Sequence, residues 1–206
     1  MRLLGLLLTL LFFTAGAAQA QNVPQLHDVT GVAADDQLNV RAAPSAQADI
    51  IGALAPHARA VEVVALSDTG TWGQINLGEI SGWVSLRYLA PRGVHIDNYN
   101  LPVGLACYGT EPFWSLTNSN GSFDLTTPET ATQTLDIEIA QDSGIAGDLR
   151  RMIHLKAQAV PATAFIYPAA CNDGMSDRSF GLAISLMVSM SGPLLSGCCS
   201  LGHSTP

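Results

Sequence analysis

Lysine is almost missing from this chain: Lys156 is the only one, and nine Lys and Arg together face 17 Asp and Glu, for a formal net charge of −8. An acidic chain with scattered arginines carries no electrostatic footprint for nucleic acid or for an anionic membrane surface. After residue 20 no apolar run is long enough to cross a bilayer. No internal repeat and no sustained heptad runs through the sequence, so solenoids and coiled coils are excluded. No C-x-x-C pair occurs, which removes the common zinc and redox spacings. Charge is scarce at 13%, but apolar residues make up 48%, and that balance excludes disorder.

What is present begins with a leader. "MRLLGLLLTLLFFTAGAAQA" joins an early Arg2 to an apolar run and an Ala18-Gln19-Ala20 ending, the pattern of a cleaved secretory signal. Cleavage is expected after Ala20, with no following cysteine to accept a lipid and a product in the periplasm or secreted. Four cysteines in an exported chain point to disulfides. If 194–200 is a strand, Cys198 and Cys199 face opposite ways and each needs its own partner among Cys107 and Cys171. Two pairings stay open, 107–198 with 171–199 or 107–199 with 171–198. Cys198 and Cys199 lack a histidine at ligand spacing, since His203 sits in a small, polar tail; no metal and no cofactor are expected.

Period-two alternation dominates the rest. "FGLAISLMVSM" (180–190) puts Phe180, Leu182, Ile184, Leu186, Val188 and Met190 on one face, and "TLDIEIAQ" (134–141) turns Leu135, Ile137 and Ile139 inward. "FWSLTNSNGSFDLTT" (113–127) reads as a hairpin on Asn120-Gly121. "MIHLKAQAV" (152–160) and "ATAFIYPA" (162–169) read as two strands broken by Pro161. Residues 91–106 hold two prolines and two glycines without alternation, which marks a linker or an irregular strap. The expected organisation is all-β: a first module over 21–92, a linker over 93–106, and a second module over 107–202.

The first module carries a resemblance. "LNVRAAPS", "IIGAL", "VEVV", "TWGQI" and "SGWVSLRYL" appear in order across 38–89 and resemble the landmarks of bacterial SH3 domains, with Ala43 where Gly is usual before the proline. The resemblance implies an SH3-like small barrel and, as in many such modules, binding of cell-wall peptides or of envelope proteins. Alternation agrees: Val61, Val63 and Leu66 can face a core with Glu62 outward, and Gly52, Gly73, Gly78 and Gly82 fall where turns are expected. The implied ligand platform is Trp72, Trp83 and Tyr88 with Asn39 and Arg41, because aromatic faces supply contact area and Arg can pair a carboxylate. The competing reading makes Trp83 and Tyr88 core residues and Arg41 a loop anchor.

The second module resembles an uncharacterised family of bacterial envelope proteins through "GTEPFW", "CNDGMSD" and a terminal Gly-Cys. That resemblance implies a compact, disulfide-bearing β-barrel and no activity. Glu111 is expected as a half-buried clasp against Arg178 or backbone N–H groups, and it joins Trp114 as a candidate for ligand contact. Of Phe113 and Trp114, one is core and the other exposed. Ser176, His154 and Asp173 can be assembled into a triad on paper, but no G-x-S-x-G elbow frames them. "NDGMSD" lacks the spacing of a calcium loop and reads as a turn. A non-catalytic binder of peptidoglycan or an envelope partner is therefore expected, ahead of a wall hydrolase, a lysozyme-inhibitor-like protein or an assembly factor with protein partners only.

Overall fold

The computed structural model describes residues 23–157 and 160–202, so the expected leader and His203 lie outside the described residues. Short alternating segments between turns produce an all-β chain. The first module contains β1 (Gln25–Val29), β2 (Leu38–Arg41), β3 (Ile50–Leu54), β4 (Val61–Val63), β5 (Ala65–Leu66), β6 (Trp72–Leu77), β7 (Ile80–Ser85), a 3-10 turn (Leu86–Tyr88) and β8 (Leu89–Pro91). They form two sheets, β3-β2-β7-β6-β5 and β4-β1-β8. One core joins them, built from Val29, Leu38, Val40, Val61, Val63, Ile75, Val84 and Leu89. Of the four glycines expected at turns, Gly78 takes a positive φ of 61°. Gly52, Gly73 and Gly82 instead lie within strands. A Cβ on Gly82 would run into Val40 and Ile51, so close sheet packing, not turning, requires glycine there.

The second module contains β9 (Ala106–Thr110), β10 (Phe113–Asn118), β11 (Ser122–Thr126), β12 (Gln133–Gln141), β13 (Arg151–Ala157), β14 (Val160–Cys171), β15 (Phe180–Met187) and β16 (Leu194–Ser200). Each pairs antiparallel with the next, and β16 returns to β9, closing an eight-stranded barrel. Alternate residues such as Leu116, Phe123, Leu155 and Ile184 fill its interior. The Asn120-Gly121 turn forms with φ of 61° and 107°, the positive values that the two-residue hairpin demands.

Three strand readings need correction. Ile139 is 48% exposed, because a bulge between Ile137 and Ile139 shifts the alternation. Met190 is 85% exposed, since β15 ends at Met187. Pro161 does not break a strand; it sits inside β14, opposite Lys156.

The cysteine doublet behaves as two staples. Cys199 pairs with Cys107 and Cys198 with Cys171, the second of the two open pairings. Cys107 and Cys199 are directly opposite one another on β9 and β16, with Cα atoms 4.0 Å apart.

Residues 93–106 pack as a strap and not as a free tether. Leu101 and Leu105 are buried in the barrel core. Asp97 accepts hydrogen bonds from the Tyr99 and Leu101 amides and from Asn118 Nδ2 at 2.9 Å, which pins the strap to β10.

The β4-β1-β8 sheet has two employed faces. Val61 and Val63 enter the first core, while Leu26 and Glu62, opposite one another in register, face the barrel. Glu62 is therefore not outward: it is 8% exposed, accepting from the Ser200 hydroxyl and from the Leu201 amide at 2.9 Å. A second seam runs beside it. Asn76 and Ser179 exchange hydrogen bonds of 2.9 and 3.0 Å, and the Asp177 amide donates to the Glu79 carbonyl.

Candidate functional site

Strand alternation places the platform. In β2, Leu38 and Val40 point into the core, which sends Asn39 and Arg41 to the outer face. In β6, Gly73 and Ile75 are buried and Trp72 lies on that same outer side. Trp72 is fixed by the turn before it: its amide donates to Ser67 Oγ at 3.2 Å, and Gly70, at φ 65°, donates to the Ser67 carbonyl at 2.8 Å. Tyr88 arrives from the 3-10 turn, partly packed on the core, with its carbonyl held by the Thr30 amide.

These four residues line one groove of about 540 Å³, with Gly31–Ala33, Asp36, Gln37, Leu38, Ala46, Ser85 and Arg87 completing its walls. Arg41 donates to the Ala48 carbonyl at 2.7 Å, so the loop-anchor reading holds for one of its nitrogens while the guanidinium still borders the groove. The Arg87 guanidinium lies 4.4 Å from the centre of the Tyr88 ring and also contacts the Tyr88 hydroxyl. Two aromatic rings, two guanidinium groups, one carboxylate and two carboxamides therefore share a concave surface. Such a set suits a short, extended ligand carrying carboxylates and amides.

Not every expected site residue joins it. Trp83 lies on the outer face of the sheet, opposite Arg41 and Gln74, neither in the core nor in the groove wall. Arg87 and Asp36 are groove residues that the motif reading passed over. Arg87 stands inside "SLRYL", and only its stacking on Tyr88 brings it to the site.

Glu111 and Trp114 lie elsewhere, on the barrel. Glu111 is exposed and, among the described residues, makes no hydrogen bond or ion pair, so the expected clasp is overturned. The tie between this part of the chain and the Asp173 turn is a different one, made by its neighbour: Thr110 Oγ1 donates to the Asp173 carbonyl at 2.9 Å. Trp114 is 4% exposed and Phe113 51%, because even-numbered positions of β10 face the barrel interior. Trp114 is thus a core residue. Its indole lies against Gly109, where a Cβ would collide with it, and against Gly197, where a Cβ would collide with the Tyr108 carbonyl. Gly109→Ala is expected to cost about 1–3 kcal/mol through overpacking, read as a lower melting temperature; an unchanged melt would mean that the indole moves aside freely.

The paper triad does not assemble. Ser176 donates to Asp173 within one turn, whereas the ring of His154 on β13 contacts Thr163. Asp173 also accepts the Met175 and Ser176 amides at 3.0 and 2.9 Å. Burial works against its charge, but these hydrogen bonds and Arg178 outweigh burial and hold the carboxyl below its ordinary value. The Asp173 loop is a self-satisfied turn.

Neither a curated protein nor a solved structure matches the chain. Residues 36–90 do match the model of one family, the bacterial SH3 domain, and that span holds β2 to β7 and the groove residues from Asp36 to Tyr88. Residues 36–90, within the first module, are a bacterial SH3 domain.

Proposed function

We propose that the protein is an exported, non-catalytic binder whose SH3 groove holds peptidoglycan, through the carboxylate-bearing peptides of the wall, or an envelope partner presenting similar chemistry. The observation that carries this reading is the convergence of Trp72, Tyr88, Arg41 and Asn39, far apart in sequence, on one groove. Arg41 and Arg87 supply charge for carboxylates, and the rings supply contact area at low conformational cost. The barrel module travels with the domain through the Glu62 and Asn76 seams. Phe113, exposed at the start of β10, is a side chain that module offers to a protein partner.

The test is co-sedimentation with purified peptidoglycan, beside a zymogram on the same material. Wild-type protein is expected to pellet without clearing the wall. Trp72→Ala should weaken binding at least tenfold, as loss of a central aromatic anchor does, and Arg41→Gln should weaken it less, since one nitrogen is already spent on Ala48. Clearing would demand a catalytic reading. Pelleting that survives Trp72→Ala would move the site out of the groove.

A further inference from the structure

A second cavity, of about 750 Å³, opens where the barrel end meets the strap and the first module. Its size lies in the range of sites for small molecules, and eight-stranded barrels are wide enough at the mouth to admit one. The floor is apolar, formed by Ile166, Leu182 and Leu201 of the barrel, with Val94 and Ile96 of the strap and Leu149 of the β12–β13 loop at the sides. Among the described residues no Asp or Glu lines it, and the only charged ones there are Arg92 and Arg151.

The two arginines differ. Arg92 is paired with Asp28 at 2.9 Å. Arg151 is held by carbonyls alone, those of Asp148 at 2.7 Å, Arg150 at 2.8 Å and Asn100 at 3.3 Å. Among the described residues it has no ion pair. Carbonyl oxygens fix a guanidinium in place but leave its full charge uncompensated. In a chain of net charge −8, an apolar cavity with only positive charge on its wall runs against the bulk.

We propose that this cavity binds a single-chain amphiphile with an anionic head, its hydrocarbon tail on the Ile166–Leu182–Leu201 floor and its carboxylate on Arg151. A purely apolar guest would bury the Arg151 charge without a partner, which is costly. A cationic head would be repelled. The inference is independent of the SH3 groove.

Isothermal titration calorimetry of the purified protein tests it, with dodecanoate, decanoate and dodecyltrimethylammonium below their micelle concentrations. Dodecanoate is expected to bind at one site per chain, and decanoate about 15-fold more weakly, at about fourfold per methylene. Dodecyltrimethylammonium should bind at least tenfold more weakly than dodecanoate. Arg151→Gln should weaken dodecanoate about tenfold. Because that change touches a loop anchor, Ile96→Asp serves as a second variant: Ile96 is 43% exposed, so the fold tolerates it, while the new charge should repel the carboxylate. Trp72→Ala should leave dodecanoate binding unaltered, which separates this site from the groove. No saturable binding of dodecanoate, equal affinity for the cationic amphiphile, or unchanged affinity in Ile96→Asp would overturn the proposal.

Discussion

Replacing Cys107 and Cys199 together by alanine is expected to destabilise the barrel by about 4–5 kcal/mol, the loop-entropy cost of freeing a loop of that length. The bond joins residues 92 apart in sequence, and it does so at a vulnerable place. β16 meets β9 through only three paired positions, Cys198–Tyr108, Cys199–Cys107 and Ser200–Ala106, whereas β13 and β14 share seven. The closing seam of the barrel is thus short in hydrogen bonds and long in chain separation, and the disulfide compensates for both. At about 2–4 °C per kcal/mol for a chain of this size, the melting temperature should fall by about 8–20 °C in circular dichroism. The companion variant, Cys171→Ala with Cys198→Ala, opens a separation of 27 and should cost about 1 kcal/mol less. If the two double variants melt at the same temperature, chain closure is not what the 107–199 bond contributes.

Glu62→Ala should cost about 1–3 kcal/mol, because it strands the Leu201 amide in a buried seam, while the Ser200 hydroxyl keeps the Gly202 carbonyl at 3.2 Å as an acceptor. Glu62→Gln keeps an acceptor and should cost far less. The pH dependence of the difference from wild type reports the Glu62 proton itself. Desolvation raises the Glu62 pKa above its ordinary 4.5, against the hydrogen bonds from Ser200 and Leu201 and the charge of Arg178, which lower it. A raised carboxyl pKa means that the folded state favours the proton. Its contribution is therefore complete below the ordinary value and is lost as pH rises through the folded-state value.

His27 acts in the opposite sense. Burial lowers its pKa below 6.5, with the hydrogen bond to Gln25 only partly opposing this, so its neutral form gains stability as pH rises toward that value. The carboxyls held low, Asp28, Asp124, Asp148 and Asp173, withdraw stability only as pH falls through their depressed values. Subtracting the wild-type melting temperature from that of Glu62→Gln removes these shared effects. The difference should grow from pH 5 to pH 8; a flat difference would mean that Glu62 carries no proton in the folded protein.

Particular residues show how far the sequence could be read. The order of "LNVR", "TWG" and "GWVSLRYL" names the SH3 module, and period two then selects which side of each strand Asn39, Arg41 and Trp72 occupy. The adjacency of Cys198 and Cys199 requires opposite faces in any strand, so a bond between the two is disfavoured and each needs its own partner. Which partner each takes does not follow, because that depends on β9 lying beside β16 at the barrel closure. Phe113 and Trp114 present the same limit: alternation states that one is buried, and only the barrel selects Trp114. Ile139 escaped because a bulge inserts a residue without any mark in the local pattern.

Glu62 shows the limit at its clearest. A charged residue between two buried valines reads as solvent-facing, because alternation along one strand compares two faces and assigns water to the polar one. The second face of β4 meets another module. Local periodicity, turn chemistry and cysteine spacing act over a few residues, and they suffice for the strands, the all-β class and the first domain's family. The groove at Arg87, the Glu62 seam and the arginine-walled cavity each join segments tens of residues apart. The groove depends on how the strands and loops of the first module meet, and the seam and cavity on how that module is set against the closed barrel, long-range packing that no local pattern encodes.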